Sequence, residues 1–311
     1  MATPRADLLD PATLAALGRL EIVARWLVDG FLTGLHRSPR RGFSVEFAEH
    51  RPYQPGDDPR YLDWRIAARA DRWVVKQFEE ETNLRATLVL DVSRSMAWSG
   101  ASLGGRQGAA AAGRLTKLAY AERLVAALSL LFLRQRDAVG LVRFDERVRS
   151  VVPPRARSGQ WRRLLGALAE PGAGEATKAA EGLEQASRLV KRAGMVILVS
   201  DLLLDPPDVE GALRGLRAAG HDVTVLHVLD PAERELPASA GDAVFFDPES
   251  RFEVPAAASD VRAVYRATVA TALDEWRATF SRLGVRYATV LTDQPFAVPL
   301  RHAFAARQGQ P

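Results

Sequence analysis

Hydrophobic positions along this chain follow two periods, and the change from one to the other marks its elements. From residue 85 onward, short runs rich in Val, Ile and Leu alternate with longer stretches whose apolar positions recur every three to four residues. The short runs predict strands at 86–90, 138–144, 195–200, 223–228 and 287–291. The longer stretches predict helices at 115–135, 159–169, 179–193, 208–219 and 261–283. Strands that read as nearly continuous apolar runs are covered on both faces, which is the mark of a parallel sheet with crossover helices. The run 148–152 follows its predecessor across only Asp145-Glu146 and a short turn, so it reads as a short antiparallel edge strand joined by a hairpin. The expected fold class is α/β, a doubly wound and mostly parallel sheet with one antiparallel edge strand.

Upstream, residues 7–35 carry helical spacing through Leu14, Leu17, Leu20, Val23, Leu27 and Phe31, and Pro39 stops the pattern soon after. The polar face of this helix has no surplus of Lys or Arg, so it is expected to pack on the protein body rather than lie on a membrane. Residues 41–81 are dense in charges and aromatics, with turn signals at Pro52, Pro55-Gly56 and Pro59, and read as an irregular lead-in of short strands. The expected organisation is therefore a helix and charged lead-in at 1–84, an α/β domain at 85–307 and a tail at 308–311. Residues 99–113, rich in Gly, Ala and Ser, read as a flexible loop.

Composition narrows the function classes. A chain of 311 residues has ample length to bury a core. It has no cysteine, which removes disulfides, zinc-thiolate sites and thiol catalysis, and any metal must be held by oxygen or imidazole. No basic segment leads into an apolar run near the N-terminus, and the most apolar helix is broken by Glu122 and Arg123, short of the ~20 residues of a membrane span. The expected location is cytoplasmic. The formal charge of +4 is unevenly spread: residues 1–84 are nearly neutral, whereas Arg143, Arg147, Arg149, Arg155, Arg157, Arg162 and Arg163 form a basic run. Charge alone speaks to association rather than function, so this run is read first as a solvated or protein-binding face and second as a nucleic-acid surface.

The candidate chemistry sits where the first predicted strand ends. Asp91-Val-Ser93-Arg-Ser95 places a carboxylate and two hydroxyls at every second position, and hard oxygen ligands of this kind suit Mg²⁺, which usually keeps several waters. Ligands of open α/β sheets bind beyond the C-terminal ends of strands. A second strand end, Val199-Ser200-Asp201, brings another carboxylate to the same edge, and two carboxylates on adjacent strands can bracket one divalent ion. Thr177 lies before the helix predicted at 179–193. It serves either as a further ligand or as that helix's N-cap, and spacing does not choose between them.

Asp91-x-Ser93-x-Ser95-Met96, Thr177 and Ile-Leu-Val-Ser-Asp201 together resemble the metal-ion-dependent adhesion site of von Willebrand factor type A domains. The lead-in is more specific. Arg41-Gly-Phe-Ser-Val-Glu46-Phe, Arg51-x-Tyr53-x-x-Gly56-Asp57-Asp58-x-Arg60, Asp63-Trp64 and Ala68-Arg69 resemble the signature of the domain of unknown function 58 family, which couples such a lead-in to a von Willebrand A-like, Rossmann-like domain. The resemblance extends through Lys117-Leu-x-Tyr120-Ala and Asp137-x-Val-Gly-Leu-Val-x-Phe144, over roughly residues 32–307. It implies that Ser93 and Ser95 ligate the ion directly, that Asp91 and Asp201 hold it partly through water, and that Thr177 enters in some states. Glu175-Ala176 departs from the small Gly-rich turn common near that threonine. The resemblance also implies a partner whose acidic side chain fills an open metal position, and a MoxR-type AAA+ ATPase as that partner in chaperone-like assembly or activation.

Three function classes follow. The first is a Mg²⁺-dependent protein-interaction or adaptor protein, with Mn²⁺ or Ca²⁺ as alternative ions. The second is a Mg²⁺-dependent hydrolase. For that, only His227, with Asp230 just beyond, lies near a C-terminal strand end, and a buried histidine satisfied by its neighbours is the more economical reading. Gly100-Ala-Ser102-Leu-Gly104 matches a nucleophile-elbow pattern but lies in the loop at 99–113 rather than at a strand-to-helix turn. No Gly-x-x-x-x-Gly-Lys-Ser/Thr loop is present to cradle nucleotide phosphates. The protein is therefore expected not to be an enzyme. The third class is a nucleic-acid-binding protein using the basic run at 143–163. The lead-in charges Glu46, His50, Arg51, Asp57, Asp58, Arg60, Asp63 and Arg69 read as an ion-paired scaffold before a second binding surface.

Overall fold

The computed structural model describes residues 20–36, 50–53, 73–76, 84–100, 114–171, 179–236, 242–246 and 253–305. By compactness, Thr33–Asn83 forms one unit and the rest of the chain another, so the N-terminal helix as far as Leu32 groups with the sheet rather than with the lead-in. In the smaller unit, β1 (His50–Pro52) and β2 (Val74–Lys76) pair antiparallel, with Arg51 opposite Val75, and Tyr53 packs near Trp73.

The larger unit includes α1 (Leu20–His36) as far as Leu32; α1 is the described part of the helix expected over 7–35, and residues 7–19 lie outside the described residues. Then come β3 (Arg85–Asp91), α2 (Lys117–Arg134), β4 (Ala138–Phe144), β5 (Val148–Arg155), α3 (Gln160–Leu168), α4 (Ala179–Leu189), β6 (Met195–Ser200) and α5 (Pro206–Ala218). The chain continues through β7 (Asp222–Leu229), α6 (Pro231–Glu235), β8 (Asp242–Phe246), β9 (Glu253–Ala257), α7 (Ala258–Arg282), β10 (Arg286–Leu291) and α8 (Ala297–Ala305). The main sheet has the order β10-β7-β6-β3-β4-β5, parallel throughout except for β5, which runs antiparallel to β4.

Each predicted strand of this sheet is present, and the differences lie at ends. β5 runs three residues beyond the expected 148–152 because Pro153 and Pro154 are tolerated on an edge strand, where one row of N–H groups has no ladder partner. Its burial alternates along its length, whereas β3, β4, β6 and β7 are buried almost throughout. α4 stops at Leu189 rather than at 193, since the chain must turn to enter β6: Gly194 lies so close to β3 that a Cβ there would sit 2.4 Å from the Arg85 carbonyl oxygen.

Helices cover both faces. On one, α4, α5 and α7 enclose Val89, Val142, Phe144, Val196, Leu198 and Val225 with Leu183, Leu213, Trp276 and Phe280. On the other lie α2, α3 and α8, with Tyr120 stacked on Phe296 at 4.2 Å between ring centres. α2 starts where Thr116 caps it, its hydroxyl accepting from the Ala119 amide. Three elements have no counterpart in the sequence reading: the β8–β9 hairpin, the five-residue α6 and α8.

Candidate functional site

β3 and β6 are neighbours, and their register places Leu90 beside Val199, so Asp91 and Asp201 emerge at the same edge of the sheet. Both are buried, as are Ser93 and Ser95. Past β3 the chain folds at once into a short 3-10 turn, Arg94–Ala97, in which Ser93 occupies the capping position without using its hydroxyl as a cap. That hydroxyl lies 3.1 Å from the Ser95 hydroxyl. Asp91 accepts from the Ser93 amide at 2.9 Å and from the Ser200 hydroxyl at 2.6 Å, and the Ser95 hydroxyl supports the Asp201 carboxylate. Four of the five predicted site residues thus converge. Thr177, the fifth, lies outside the described residues.

The electrostatics of the cluster are not symmetrical. Burial, reinforced by the neighbouring Asp201 carboxylate, pushes Asp91 up to about 7. Asp201 is just as buried, yet it is held below the ordinary carboxylate range because Lys117 stands beside it, Nζ donating to Oδ2 at 2.8 Å. The same ammonium donates to Glu233 at 2.5 Å. Lys117 has no exposed surface, and burial alone would lower its affinity for the proton; the two carboxylates reverse that and raise it. Glu233 is itself raised by burial, against the pull of Lys117. When all are ionised, Asp91, Asp201 and Glu233 set three negative charges against one positive.

Lys117 and Glu233 were not among the residues expected at this site. Lys117 had a signal: it is the first residue of a helix, where the macrodipole disfavours a cation, so a lysine there asks for a carboxylate partner. Glu233 was also legible as the fourth residue of Asp230-Pro-Ala-Glu233, a capping box that the structure contains: Asp230 accepts from the Ala232 amide and Glu233 from the Asp230 amide. Asp230 reaches further. Its other oxygen accepts from the Gly100 amide at 3.0 Å, while the Lys117 amide donates to the Trp98 carbonyl, so both ends of the segment 101–113 are pinned at the site. Residues 101–113 lie outside the described residues, Ser102 and Gly104 of the elbow-like pattern among them.

His227 is a buried histidine with both nitrogens engaged. Nε2 donates to the Asp201 carbonyl at 2.8 Å, which leaves Nδ1 to accept from the Tyr287 hydroxyl at 2.8 Å. Burial lowers it to about 4, so the ring is neutral at pH 7 and braces the Asp201 backbone. The basic run is smaller than its sequence suggests. Arg143 is wholly buried and donates to the Ala167 and Glu170 carbonyls at the end of α3, and Arg149 pairs with Asp145. The exposed remainder comprises Arg147, Arg155, Arg157, Arg162 and Arg163 with Arg149. Of the lead-in charges, His50 and Arg51 lie in β1; the others lie outside the described residues.

The donor set is hard oxygen throughout. Among the described residues, no three His, Cys, Asp or Glu side chains group closely enough to hold an ion by themselves, so an ion here would take its remaining ligands from hydroxyls and water. Ligands at right angles on an octahedral Mg²⁺ lie about 2.9 Å apart, close to the separation of the two serine hydroxyls, which is equally that of a hydrogen bond between them. The residues fit such an ion.

A parallel sheet in this order, closed at one edge by a single antiparallel strand and carrying Asp-x-Ser-x-Ser at its C-terminal edge, defines a von Willebrand A-like α/β protein. A family model described as "Protein of unknown function DUF58" matches residues 49–275, and the chain belongs to that family. It is 31% identical to the uncharacterized protein Rv1480 of Mycobacterium tuberculosis and to the uncharacterized protein Mb1516 of Mycobacterium bovis, over 98% of this chain and 92% of each relative. Among solved structures it is similar to the conserved hypothetical protein BatB of Bacteroides thetaiotaomicron, at 16% identity over 73% of this chain and 100% of that one, with a TM-score of 0.42. It is also similar to the SpRpn10 VWA domain, at 12% identity over 70% and 94% of the two chains, with a TM-score of 0.36. Among the described residues no helix is long and apolar enough to cross a membrane.

Proposed function

We propose that this protein is a metal-dependent protein-interaction module. Asp91, Ser93, Ser95 and Asp201 hold a divalent ion, with Mg²⁺ best suited to the small hard-oxygen donor set and Mn²⁺ or Ca²⁺ as alternatives, and Thr177 is the fifth candidate ligand. The bound ion supplies an electrophilic point to which a partner's Asp or Glu coordinates. The observation that carries this reading is the meeting of two buried carboxylates and two buried hydroxyls at the C-terminal ends of adjacent parallel strands. The excess of buried carboxylate over ammonium supports it, because a divalent ion offsets that charge. Binding is favoured over catalysis: His227, the one histidine beside the site among the described residues, is neutral and spends both nitrogens on bracing. The resemblance to family members encoded beside MoxR-type AAA+ ATPases makes such an ATPase the proposed partner, and the cytoplasm the proposed location.

The test is capture by the immobilised full chain, wild type against Asp91→Ala, from lysate and with a purified MoxR-type ATPase, in Mg²⁺ and in EDTA, with folding checked by circular dichroism. The expected result is capture by the wild type in Mg²⁺ and its loss in EDTA and in the folded variant. Equal capture in all arms would overturn the proposal.

A further inference from the structure

A lysine with no exposed surface, at the first residue of a helix, is doubly disfavoured: its charge is desolvated and it faces the positive end of the helix macrodipole. What compensates it is a pair of carboxylates from different elements, Asp201 at the end of β6 and Glu233 in α6. One of them, Asp201, is also a proposed holder of the divalent ion. The same carboxylate therefore faces a permanent internal cation and the proposed place of an external one. Asp91, by contrast, has no cationic partner among the described residues; its oxygens are met by the Ser93 amide and the Ser200 hydroxyl.

We propose that Lys117 is a built-in counter-cation of the site, one that shares Asp201 with the divalent ion, keeps the metal-free cluster folded and holds metal affinity below what the same carboxylates would give without it. The proposal rests on the metal-binding reading above. Glu233 has the opposite effect on the ion: by neutralising part of the Lys117 charge, it lowers the repulsion that Lys117 exerts on the metal. Lys117 and Glu233 thus form a pair whose removal shifts affinity in opposite directions. A purely structural ion pair would shift melting temperature and leave metal affinity alone.

The experiment titrates the full chain with MnCl₂ and with MgCl₂ by isothermal calorimetry, using wild type, Lys117→Met, Glu233→Gln and Asp91→Ala, and records thermal melts in EDTA and in saturating Mg²⁺. Lys117→Met is expected to bind roughly tenfold tighter than wild type, the size of effect one unit charge a few ångströms away has on an equilibrium in a partly buried site. Its melting temperature should lie below wild type in EDTA, and saturating Mg²⁺ should narrow the gap. Glu233→Gln is expected to bind several-fold more weakly than wild type. A folded Lys117→Met that binds no tighter overturns the proposal, as does a Glu233→Gln that binds as wild type does. Should Lys117→Met fail to fold in EDTA, Glu233→Gln, whose side chain reaches solvent, decides alone. If wild type binds and Asp91→Ala does not, while the Lys117 and Glu233 variants match wild type, only this proposal falls. If wild type binds neither ion, the metal reading falls with it.

Discussion

The neutral, buried His227 makes stability depend on pH in a direction and amount that the structure sets. Its pKa falls from 6.5 in the open chain to about 4 in the fold, because burial penalises the imidazolium and the neutral ring satisfies both its neighbours. Between those values the unfolded chain binds the proton and the folded chain does not, so stability from this group is complete above pH 6.5 and is lost as pH falls toward 4. At about 1.4 kcal/mol per tenfold change in proton affinity, the move from 6.5 to about 4 makes the full loss roughly 3–4 kcal/mol. Asp91 works against it. Its folded value of about 7 lies above the ordinary 3.8, so its contribution declines as pH rises through the same window. The wild-type profile alone is therefore flattened, and the assay must be a difference: urea denaturation in EDTA at intervals from pH 8 to pH 4, wild type against His227→Gln. The variant loses a roughly constant 1–3 kcal/mol from its altered hydrogen bonds. The wild-type advantage should shrink by about 3 kcal/mol on going from pH 6.5 to pH 4. A difference that stays constant across that range would refute both the neutral tautomer and its bracing role.

Four further outcomes are expected. Gly182→Ala puts a Cβ 1.9 Å from the Asp145 carbonyl oxygen, where α4 crosses the turn between β4 and β5, and should cost about 3 kcal/mol or more by thermal melting. Gly211→Ala, with nothing within 4 Å on α5, should instead gain up to about 1 kcal/mol. Arg143→Met leaves the Ala167 and Glu170 carbonyls without their donor and should cost about 2–4 kcal/mol in urea denaturation, with Arg143→Lys recovering only part because it lacks the two-pronged fork. Short duplex DNA and RNA should show no binding in a fluorescence-anisotropy titration even at low salt; tight binding that falls steeply with salt would revive the basic run as a nucleic-acid surface.

The sheet was legible in the sequence because its strands are buried on both faces and therefore read as unbroken apolar runs; 138–144 and 195–200 match the observed strands to the residue. The same rule explains what was missed. The β8–β9 hairpin belongs to a separate two-stranded sheet whose apolar runs are short, Ala243–Phe246 in one strand and a run broken by Pro255 in the other, and α6 is a single turn made by Pro231 and its capping box, too short for any periodicity to register. At the site, the spacing of Asp91, Ser93 and Ser95 could be read directly because one turn carries all three. Glu233 was readable as a capping residue but not as a member of the site, since it meets Lys117 from 116 residues away and only the strand order brings α6 beside the start of α2. Arg143 failed for a related reason. Its neighbours in sequence suggested a charged surface, but strand alternation turns it inward, against the end of α3.

The pinning of Gly100 to Asp230 and of Lys117 to Trp98 also bears on how this chain can be altered. Two backbone anchors flank the segment between them, and the described residues of the cluster are held by contacts on either side of it. A reporter peptide inserted between Gly104 and Gly108 should leave the melting temperature unchanged, which a thermal melt checks. A fluorophore or an affinity handle seated between the two anchors would thus be tethered on both sides to residues of the proposed docking site, so that arrival of a partner could be read out from there.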